Sequence, residues 1–307
     1  MGAVIISKSG REYITGIGNI VSFLMVSSLF ISVSGLLKLY FSFLFFGITP
    51  KINLLFAAFL VTYGTYSLNK LTDKEEDAVN NPARSEYVYG NEKFLATLAV
   101  TSYLTALLIG GFESIFASCI LLVPLVTGII YSANIFSVFG IPRLKDVFVV
   151  KSLLVALSWA IMVTFLPATW FGGNFATLSY IFFFFFIKSF VNTILFDIRD
   201  VKGDAENHVK TIPVVIGIPR TRLLLLAIQS ILAIWLMLTF DFFSKYYLIL
   251  IISIIYGYAY ILCFCEQKNH EKFLLDVMVD GEWIIMWLLY ISINSHQLVF
   301  QSFVIRF

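Results

Sequence analysis

The chain has 307 residues, of which 59% are hydrophobic and only 13% are charged, and its mean hydropathy is +0.90. Soluble globular domains carry about 25% charged residues, so this composition excludes a soluble enzyme and predicts an integral membrane protein. The formal net charge of +2 does not indicate a nucleic-acid partner, and the expected environment is the lipid bilayer.

The apolar segments predict an all-α, polytopic bundle that forms a single domain over residues 1–307. A helix needs about 20 largely apolar residues to cross a bilayer. Segments of this kind give nine predicted spans, at 13–38, 50–71, 94–112, 114–132, 147–168, 177–197, 223–240, 246–265 and 273–293. In the last span, Asp276, Asp280 and Glu282 restrict the uninterrupted apolar run to residues 283–293, which leaves eight spans as the alternative.

The basic residues predict how this bundle is oriented. Sixteen of the 21 Lys and Arg residues lie in the N-terminal segment or in the connections near 70–93, 133–151, 199–222 and 266–272. By the positive-inside rule, these segments face the cytoplasm. We therefore expect a protein of the cell membrane whose N-terminus and two long cap loops, at about 70–93 and 199–222, are cytoplasmic.

The second predicted span ends in a row of acidic and amide side chains. Asn69, Asp73 and Asp77 recur every four residues, and this spacing places them on one face of a helix. A helix C-terminus disfavours negative charge, so a cation is expected beside them. A solvated helix end is the alternative for an acidic run that stands alone.

A second row of acids follows the sixth predicted span, where Asp197, Asp200 and Asp204 again share one helical face. If the two helices pack together, five or six carboxylates repel one another within a few ångströms, and divalent cations relieve this repulsion. Oxygen ligands favour Mg²⁺, which usually shares its remaining positions with water and substrate phosphates. The predicted metal ligands are Asn69, Asp73, Asp77, Asp197, Asp200 and Asp204, and the predicted substrate is a diphosphate.

These two rows resemble the motifs of the UbiA superfamily of intramembrane prenyltransferases. The pattern from Asn69 to Arg84 is similar to the first motif, and the pattern from Asp197 to Gly217 is similar to the second motif and its tail. The resemblance implies nine helices around a central cavity that is capped by the two motif-bearing loops. It also implies Mg²⁺-dependent transfer of an isoprenyl group from an allylic diphosphate to a lipophilic acceptor, through an allylic carbocation.

The resemblance further implies roles for individual residues. Enzymes of this family use a Tyr and a following basic residue to contact the diphosphate or stabilise the cation, and Tyr131 and Lys145 match these two. For Lys145 and Lys151, anchoring of the topology is the alternative. The implied catalytic residues are Asp73, Asp77, Asp197, Asp200 and Tyr131, and the implied diphosphate-binding residues are Asn69, Arg84, Lys145 and Lys210.

Several alternatives stay open at the level of the sequence. Archaeal members that prenylate glyceryl phosphate ethers carry an Arg-Glu pair and a Lys ahead of the second motif, where this chain has Asn192, Thr193 and Phe196. An aromatic acceptor and a glyceryl phosphate ether are therefore both considered. A cation-coupled transporter or a non-catalytic lipid-binding relative is the alternative of a different class.

Two further features are ambiguous in the sequence. Lys188 lies inside the sixth predicted span, and ionisable residues at such depth either serve function or pair with a neighbouring helix. Asp276 and Asp280 are spaced like a third acidic pair, but they lack a flanking motif and are interpreted as a solvated helix end.

Overall fold

The computed structural model describes residues 23–132, 147–265 and 272–304, and within these ranges the chain is helical and has no β-strand. The helices are, in chain order, α1 (Leu29–Phe45), α2 (Ile52–Thr72), α3 (Lys74–Asn80), α4 (Pro82–Val88), α5 (Glu92–Glu113), α6 (Ile115–Ser132), α7 (Val150–Ala168), α8 (Phe175–Arg199), α9 (Val201–Glu206), α10 (Ile212–Ile216), α11 (Ile218–Leu238), α12 (Phe240–Phe243), α13 (Tyr247–Phe264), α14 (Lys272–Asp280) and α15 (Glu282–Val304).

The predicted all-α, polytopic fold class is confirmed. Nine of the helices in the described ranges have 17 or more residues, and each of them overlaps one predicted span. Five helical segments are both long and apolar enough to cross a membrane: Glu92–Glu113, Val150–Ala168, Phe175–Arg199, Ile218–Leu238 and Phe240–Phe264. Leu29–Phe45 and Ile115–Ile130 are shorter apolar helices. The number of helices that cross the bilayer, and their orientation, stay predictions.

Two predicted boundaries are wrong. The first predicted span ends at Lys38, but α1 continues to Phe45, because the Lys38 side chain lines an internal polar chamber instead of ending the helix in water. The ninth predicted span is continuous over residues 273–293, but the helix is interrupted at Gly281 between α14 and α15. The acids on either side of this break have different surroundings: Asp280 lines a cavity, whereas Glu282 is fully buried.

Aromatic side chains form the core of the bundle away from the acidic rows. Phe41, Phe43, Phe184 and Phe185 are almost completely buried, and the ring of Phe45 lies within 6.0 Å of five other rings, centroid to centroid. Lipid tails are as apolar as these side chains, so dispersion contacts between interlocking rings hold the helices together more than exclusion of water does. This rigid end of the bundle supports the polar end that contains the candidate site.

Helix α6 contains Pro124, which has no N–H to donate and crowds the preceding turn. The Tyr103 hydroxyl of α5 bridges this turn: it donates to the Leu121 carbonyl at 2.6 Å and accepts from the Leu125 N–H at 3.1 Å. Both backbone groups thereby have a hydroxyl partner in an apolar environment. The following turn of α6, from Pro124 to Ile129, contributes to the wall of the cavity.

Candidate active site

The two acidic rows face one cavity of about 630 Å³. Its wall is built from the ends of α2 and α8, the short helices that follow them, the start of α7 and one turn of α6. All six predicted metal ligands line it, namely Asn69, Asp73, Asp77, Asp197, Asp200 and Asp204, and so does Arg84. The sequence accounts for this common position. In each row, the acids are spaced so that they lie on the same face as the inward-facing residues of the helix before them.

The other predicted site residues are placed differently. Lys210 has an exposed side chain and does not line the cavity. Tyr131 is in the last turn of α6, but its side chain is not among those that the structure describes. Lys145 lies outside the described residues. The roles of these three residues stay predictions.

The cavity carries an excess of negative charge. In the described part of the chain, seven Asp side chains and four basic side chains line it, which leaves three carboxylates without a counter-charge when all are ionised. The four basic residues are Lys70, Arg84, Lys151 and Arg199. A diphosphate would be repelled by this wall unless additional cations accompany it.

In the first row, Asp77 forms an ion pair with Arg84, which follows it on α4. Asn81 sets the position of Arg84: its side-chain oxygen accepts the Arg84 N–H at 3.2 Å and caps α4, whose first residue is Pro82. Burial raises the pKa of Asp77, and Arg84 opposes this effect. Oδ2 of Asp77 is buried and has no hydrogen-bond partner among the described residues, so it is available to a ligand.

In the second row, Lys151 of α7 lies between two acids. Its Nζ is 3.1 Å from Oδ1 of Asp197 and 3.7 Å from Oδ2 of Asp204. The Ser152 hydroxyl donates to the other oxygen of Asp197 at 2.8 Å, so both oxygens of that carboxylate are occupied by α7. Burial raises the pKa of Asp204 to about 7, although Lys151 opposes the shift. The sequence leaves topology anchoring as the alternative for Lys151, and the structure places this residue in the acidic cluster.

The third basic residue of the site, Arg199, joins the second row to α14. Its guanidinium donates two hydrogen bonds to Asp200, at 2.8 and 2.6 Å, and also pairs with Asp276. Burial tends to raise the pKa of Asp200, but the Arg199 charge outweighs it and holds this pKa below its usual value.

Asp276 and Asp280 both line the cavity, so their interpretation as a solvated helix end is wrong. In the sequence, the four-residue spacing of Asp276 and Asp280 places both on one helical face. Without a flanking motif, this spacing does not distinguish a cavity wall from a solvent-exposed surface.

Two short cap segments, the helices α3 and α9, contain the ends of the two acidic rows and contact each other at Asn80 and Gly203. The Gly203 N–H donates to Oδ1 of Asn80 at 3.0 Å, and this hydrogen bond joins α3 to α9 across 123 positions of sequence. A Cβ atom at Gly203 would lie only 2.4–2.6 Å from the Asn80 amide. The position therefore requires glycine for close approach, and the contact fixes the distance between the two acidic rows.

Mg²⁺ is the cofactor that both the acidic rows and the family resemblance predict. Among the described residues, no group of three or more His, Cys, Asp or Glu side chains is arranged to hold a metal ion alone. The donor set nevertheless fits Mg²⁺, which binds through one or two carboxylates and takes its other ligands from water and phosphates. The Oδ2 atoms of Asp77 and Asp204, on opposite rows, accept no hydrogen bond from the described residues and are the oxygens available to the metal.

Apolar and aromatic side chains cover the part of the cavity that lies deeper in the bundle. The rings of Tyr66 and Trp159 are stacked with centroids 5.7 Å apart, and Phe196 and Val155 lie on the same wall. The cavity is thus charged at the cap and apolar below it, which suits a ligand with an anionic head and a hydrocarbon chain.

Comparisons with known proteins agree with this architecture. Residues 20–274 match the model of the UbiA prenyltransferase family. A digeranylgeranylglyceryl phosphate synthase from Sulfurisphaera tokodaii is 29% identical over 169 residues, which are 53% of this chain and 56% of that relative. The aligned stretch therefore spans little more than half of the curated relative.

Two solved structures share the fold. A UbiA homologue from Archaeoglobus fulgidus bound to GPP and Mg²⁺ superposes with a TM-score of 0.60 and 18% identity, and its complex with DMAPP and Mg²⁺ gives 0.54 and 17%. Both alignments cover 88% of this chain and 99% of the other.

Proposed function

Because the chain belongs to the UbiA prenyltransferase family, we propose that it transfers an isoprenyl group from an allylic prenyl diphosphate to a lipophilic acceptor within the membrane, with Mg²⁺. The observation that carries this proposal is the single cavity in which both acidic rows and four basic side chains meet at the cap. The homologue of the same fold was solved with GPP or DMAPP and Mg²⁺, which supports a prenyl diphosphate as the donor.

The acidic and basic residues have complementary roles at the diphosphate. We assign the metal to Asn69, Asp73, Asp77, Asp197, Asp200 and Asp204, and when bound it would neutralise the leaving diphosphate so that the allylic C–O bond can ionise. Arg84 and Lys151 already face the cavity and can hold phosphate oxygens once their carboxylate partners turn to the metal. Asp197, held on both oxygens by α7, also keeps Lys151 in position.

The apolar part of the cavity receives the isoprenyl chain. The stacked Tyr66 and Trp159 rings lie where the chain enters from the charged region, and aromatic faces can stabilise a nearby carbocation. The contact between Asn80 and Gly203 closes the cap segments over the reacting centre, which keeps water from quenching the cation. The acceptor then attacks the allylic carbon and releases a proton.

Two classes of acceptor remain candidates. The curated relative is named a digeranylgeranylglyceryl phosphate synthase, and this name supports a prenylated glyceryl phosphate as the acceptor. The residues ahead of the second motif, including Asn192 and Thr193, differ from the pattern expected for ether-lipid enzymes and favour an aromatic acceptor. Both share the donor chemistry proposed above.

A transfer assay tests the proposed function. The purified protein in detergent is mixed with labelled geranylgeranyl diphosphate and a lipid extract of the native membranes, and products are identified by mass spectrometry. We expect a prenylated product with Mg²⁺ and none with a chelator, because the excess carboxylates otherwise repel the donor. Asp73→Asn and Asp200→Asn should each abolish transfer.

Asp241→Asn is the matched control, because Asp241 is exposed on α12 and does not line the cavity. It should retain full activity. More than a tenth of the wild-type rate in either cavity variant would contradict the metal assignment, and transport of a solute without consumption of diphosphate would favour the transporter alternative.

A further inference from the structure

One carboxylate of the cavity lies deeper in the bundle than the two acidic rows. Asp280, the last residue of α14, lines both the cavity and a smaller chamber of about 60 Å³ that adjoins it. Thr193 and Phe196 of α8 also line both spaces. Thr193 precedes Asp197 by one helical turn, or about 6 Å along the helix axis. The junction of the two spaces, with Asp280 in its wall, is therefore about one turn deeper than the second acidic row.

This junction is where the allylic carbon of the donor is expected. The stacked rings of Tyr66 and Trp159 line both spaces as well. In the proposed reaction, the diphosphate is held at the charged cap and the isoprenyl chain lies in the apolar part of the cavity. The carbon that joins these two parts of the donor then lies at the boundary, and Asp280 lines the region in which the new bond forms.

Asp280 is also the cavity carboxylate that is least engaged by the protein. Seven carboxylates line the described wall, and six of them have a hydrogen-bond or ion-pair partner there. The six are Asp73, Asp77, Asp197, Asp200, Asp204 and Asp276. Asp280 has no hydrogen bond and no ion pair with any described residue. Its oxygens are therefore available to a group that arrives in the cavity.

The proposed reaction needs a proton acceptor at this place. The C–O bond of the donor breaks and its electron pair leaves with the diphosphate, and an electron pair of the acceptor then forms the new bond to the allylic carbon. The attacking atom, a hydroxyl oxygen or a ring carbon, must lose its proton to complete the transfer. Water is excluded from the closed site, so the proton goes to the protein or to the diphosphate. The diphosphate oxygens are engaged by cations at the cap, which makes them weak proton acceptors.

We propose that Asp280 is the general base of the transfer, and that one of its carboxylate oxygens takes the proton that the acceptor loses. This inference rests on the proposed function, since it assigns one more catalytic residue in the same reaction. The proton released by the acceptor is the proton gained by Asp280, which returns it to water when the cap opens and the products leave.

The end of α14 holds Asp280 in a fixed position, as a general base requires. Val279 and Trp283, on either side of it in sequence, are almost completely buried. Gly281 packs so closely against α1 that a Cβ atom there would lie 3.0 Å from the ring of Phe30. The carboxylate therefore extends into the cavity from a well-packed turn.

The charged groups around Asp280 leave it free to take a proton. They are Asp276, one turn earlier on the same helix, Lys38 of α1, Lys70 of α2 and Arg199 of α8. Arg199 is engaged by Asp200 and Asp276. Lys70 donates to the Val26 carbonyl and the Ser28 hydroxyl. None of the three basic groups is within ion-pair distance of Asp280 in the described structure.

Asp280→Asn tests the proposal, because it keeps the size of the side chain but removes the proton acceptor. Transfer is measured in detergent with labelled geranylgeranyl diphosphate, Mg²⁺ and the native lipid extract. We expect the rate at saturating donor to fall about 100-fold, since general-base catalysis contributes roughly 10²–10⁴-fold. Equilibrium binding of the labelled donor in Mg²⁺ should be no weaker than in the wild type, and Tm without Mg²⁺ should not fall, because Asp280 is not needed to hold the diphosphate or the fold.

The distribution of products gives a second readout that a purely structural role would not change. Without a base, attack by the acceptor reverses more often, and water captures a larger share of the allylic cation as geranylgeraniol. We expect the ratio of geranylgeraniol to prenylated product to rise about ten-fold or more in Asp280→Asn. Asp241→Asn is the matched control, since it makes the same change at an exposed position outside the cavity, and it should keep the wild-type ratio.

A transfer rate above a tenth of wild type in Asp280→Asn would overturn the inference and identify the departing diphosphate as the base. Parallel losses of donor binding and transfer, with an unchanged product ratio, would overturn it too, because they would indicate a general loss of structure. A wild-type protein that neither binds the donor in Mg²⁺ nor forms a prenylated product would instead contradict the proposed function, and this inference with it.

Discussion

At the residue scale, basic side chains form ion pairs with the acids of the cavity. A bound diphosphate must compete with these acids for the basic side chains. Arg84 pairs within its own cap segment, Lys151 reaches across from α7, and Arg199 joins α8 to α14. Such pairs let a group of carboxylates fold in the absence of ligand, because an unpaired buried charge is strongly destabilising. The same basic side chains then lie where phosphate oxygens would arrive.

The contact between Gly203 and Asn80 gives a residue-scale prediction. Gly203→Ala places a Cβ within 2.4–2.6 Å of the Asn80 amide, so the Asn80 side chain or α9 must move and the hydrogen bond between them is lost. We expect kcat/KM for the prenyl donor to fall by about ten-fold, since this contact no longer holds the two acidic rows together. Steady-state kinetics with varied donor concentration measures this change.

Gly172→Ala is the control for this variant, because a Cβ there would meet no atom within 4 Å. It should behave like the wild type. If Gly203→Ala also retains wild-type kcat/KM, the close approach of the two cap segments is not needed for function.

The acidic rows could be predicted from the sequence, but their partners could not. Helical spacing alone placed Asp73 with Asp77 and Asp197 with Asp204, because positions on one helical face depend only on the local period. The positions of Lys151 and Asp276 depend on how distant helices pack, and no local pattern encodes that packing. Lys210 follows its motif in sequence, yet its side chain is exposed and does not line the cavity.

At the element scale, helix ends were the least predictable feature, because charge alone does not mark the end of a span in a bundle with a polar interior. Lys38 lies in the middle of α1, and Lys188 lies in the middle of α8, where it pairs with Glu282. In the sequence, each of these two lysines is a charged residue within or at the end of an apolar run. Only the packing of the neighbouring helices decides whether such a residue ends a helix, pairs with another helix or lines a chamber.

The turn of α6 at Pro124 gives an element-scale prediction. Tyr103→Phe removes the hydroxyl that satisfies the Leu121 carbonyl and the Leu125 N–H beside Pro124. The two backbone groups then lose their hydroxyl partner in an apolar environment, which we expect to destabilise the protein by about 1–3 kcal/mol. Thermal unfolding in detergent should show a lower Tm. Tyr89→Phe, at an exposed tyrosine, should leave Tm unchanged, and an unchanged Tm in Tyr103→Phe would contradict the role of its hydroxyl.

At the scale of the whole molecule, the bundle has an aromatic end that packs the helices and a charged end that contains the cavity. The aromatic core around Phe45 and Phe184 fixes the helices, and the cavity lies where α2 and α8 end beneath the two cap segments. The composition predicted the all-α bundle, because nearly every long apolar run must be helical in lipid. The chamber beside the cavity could not be predicted, since it depends on how six helices approach one another.

The central claim is that this cavity binds a prenyl diphosphate only together with divalent cations. Its described wall has three more carboxylates than basic groups, so a diphosphate alone would be repelled. The most direct measurement is equilibrium binding of labelled geranylgeranyl diphosphate to the wild-type protein in detergent, without acceptor, in Mg²⁺ and in a chelator. We predict saturable binding in Mg²⁺ and an affinity at least about 100-fold lower in the chelator. Equal affinity under the two conditions would contradict the account.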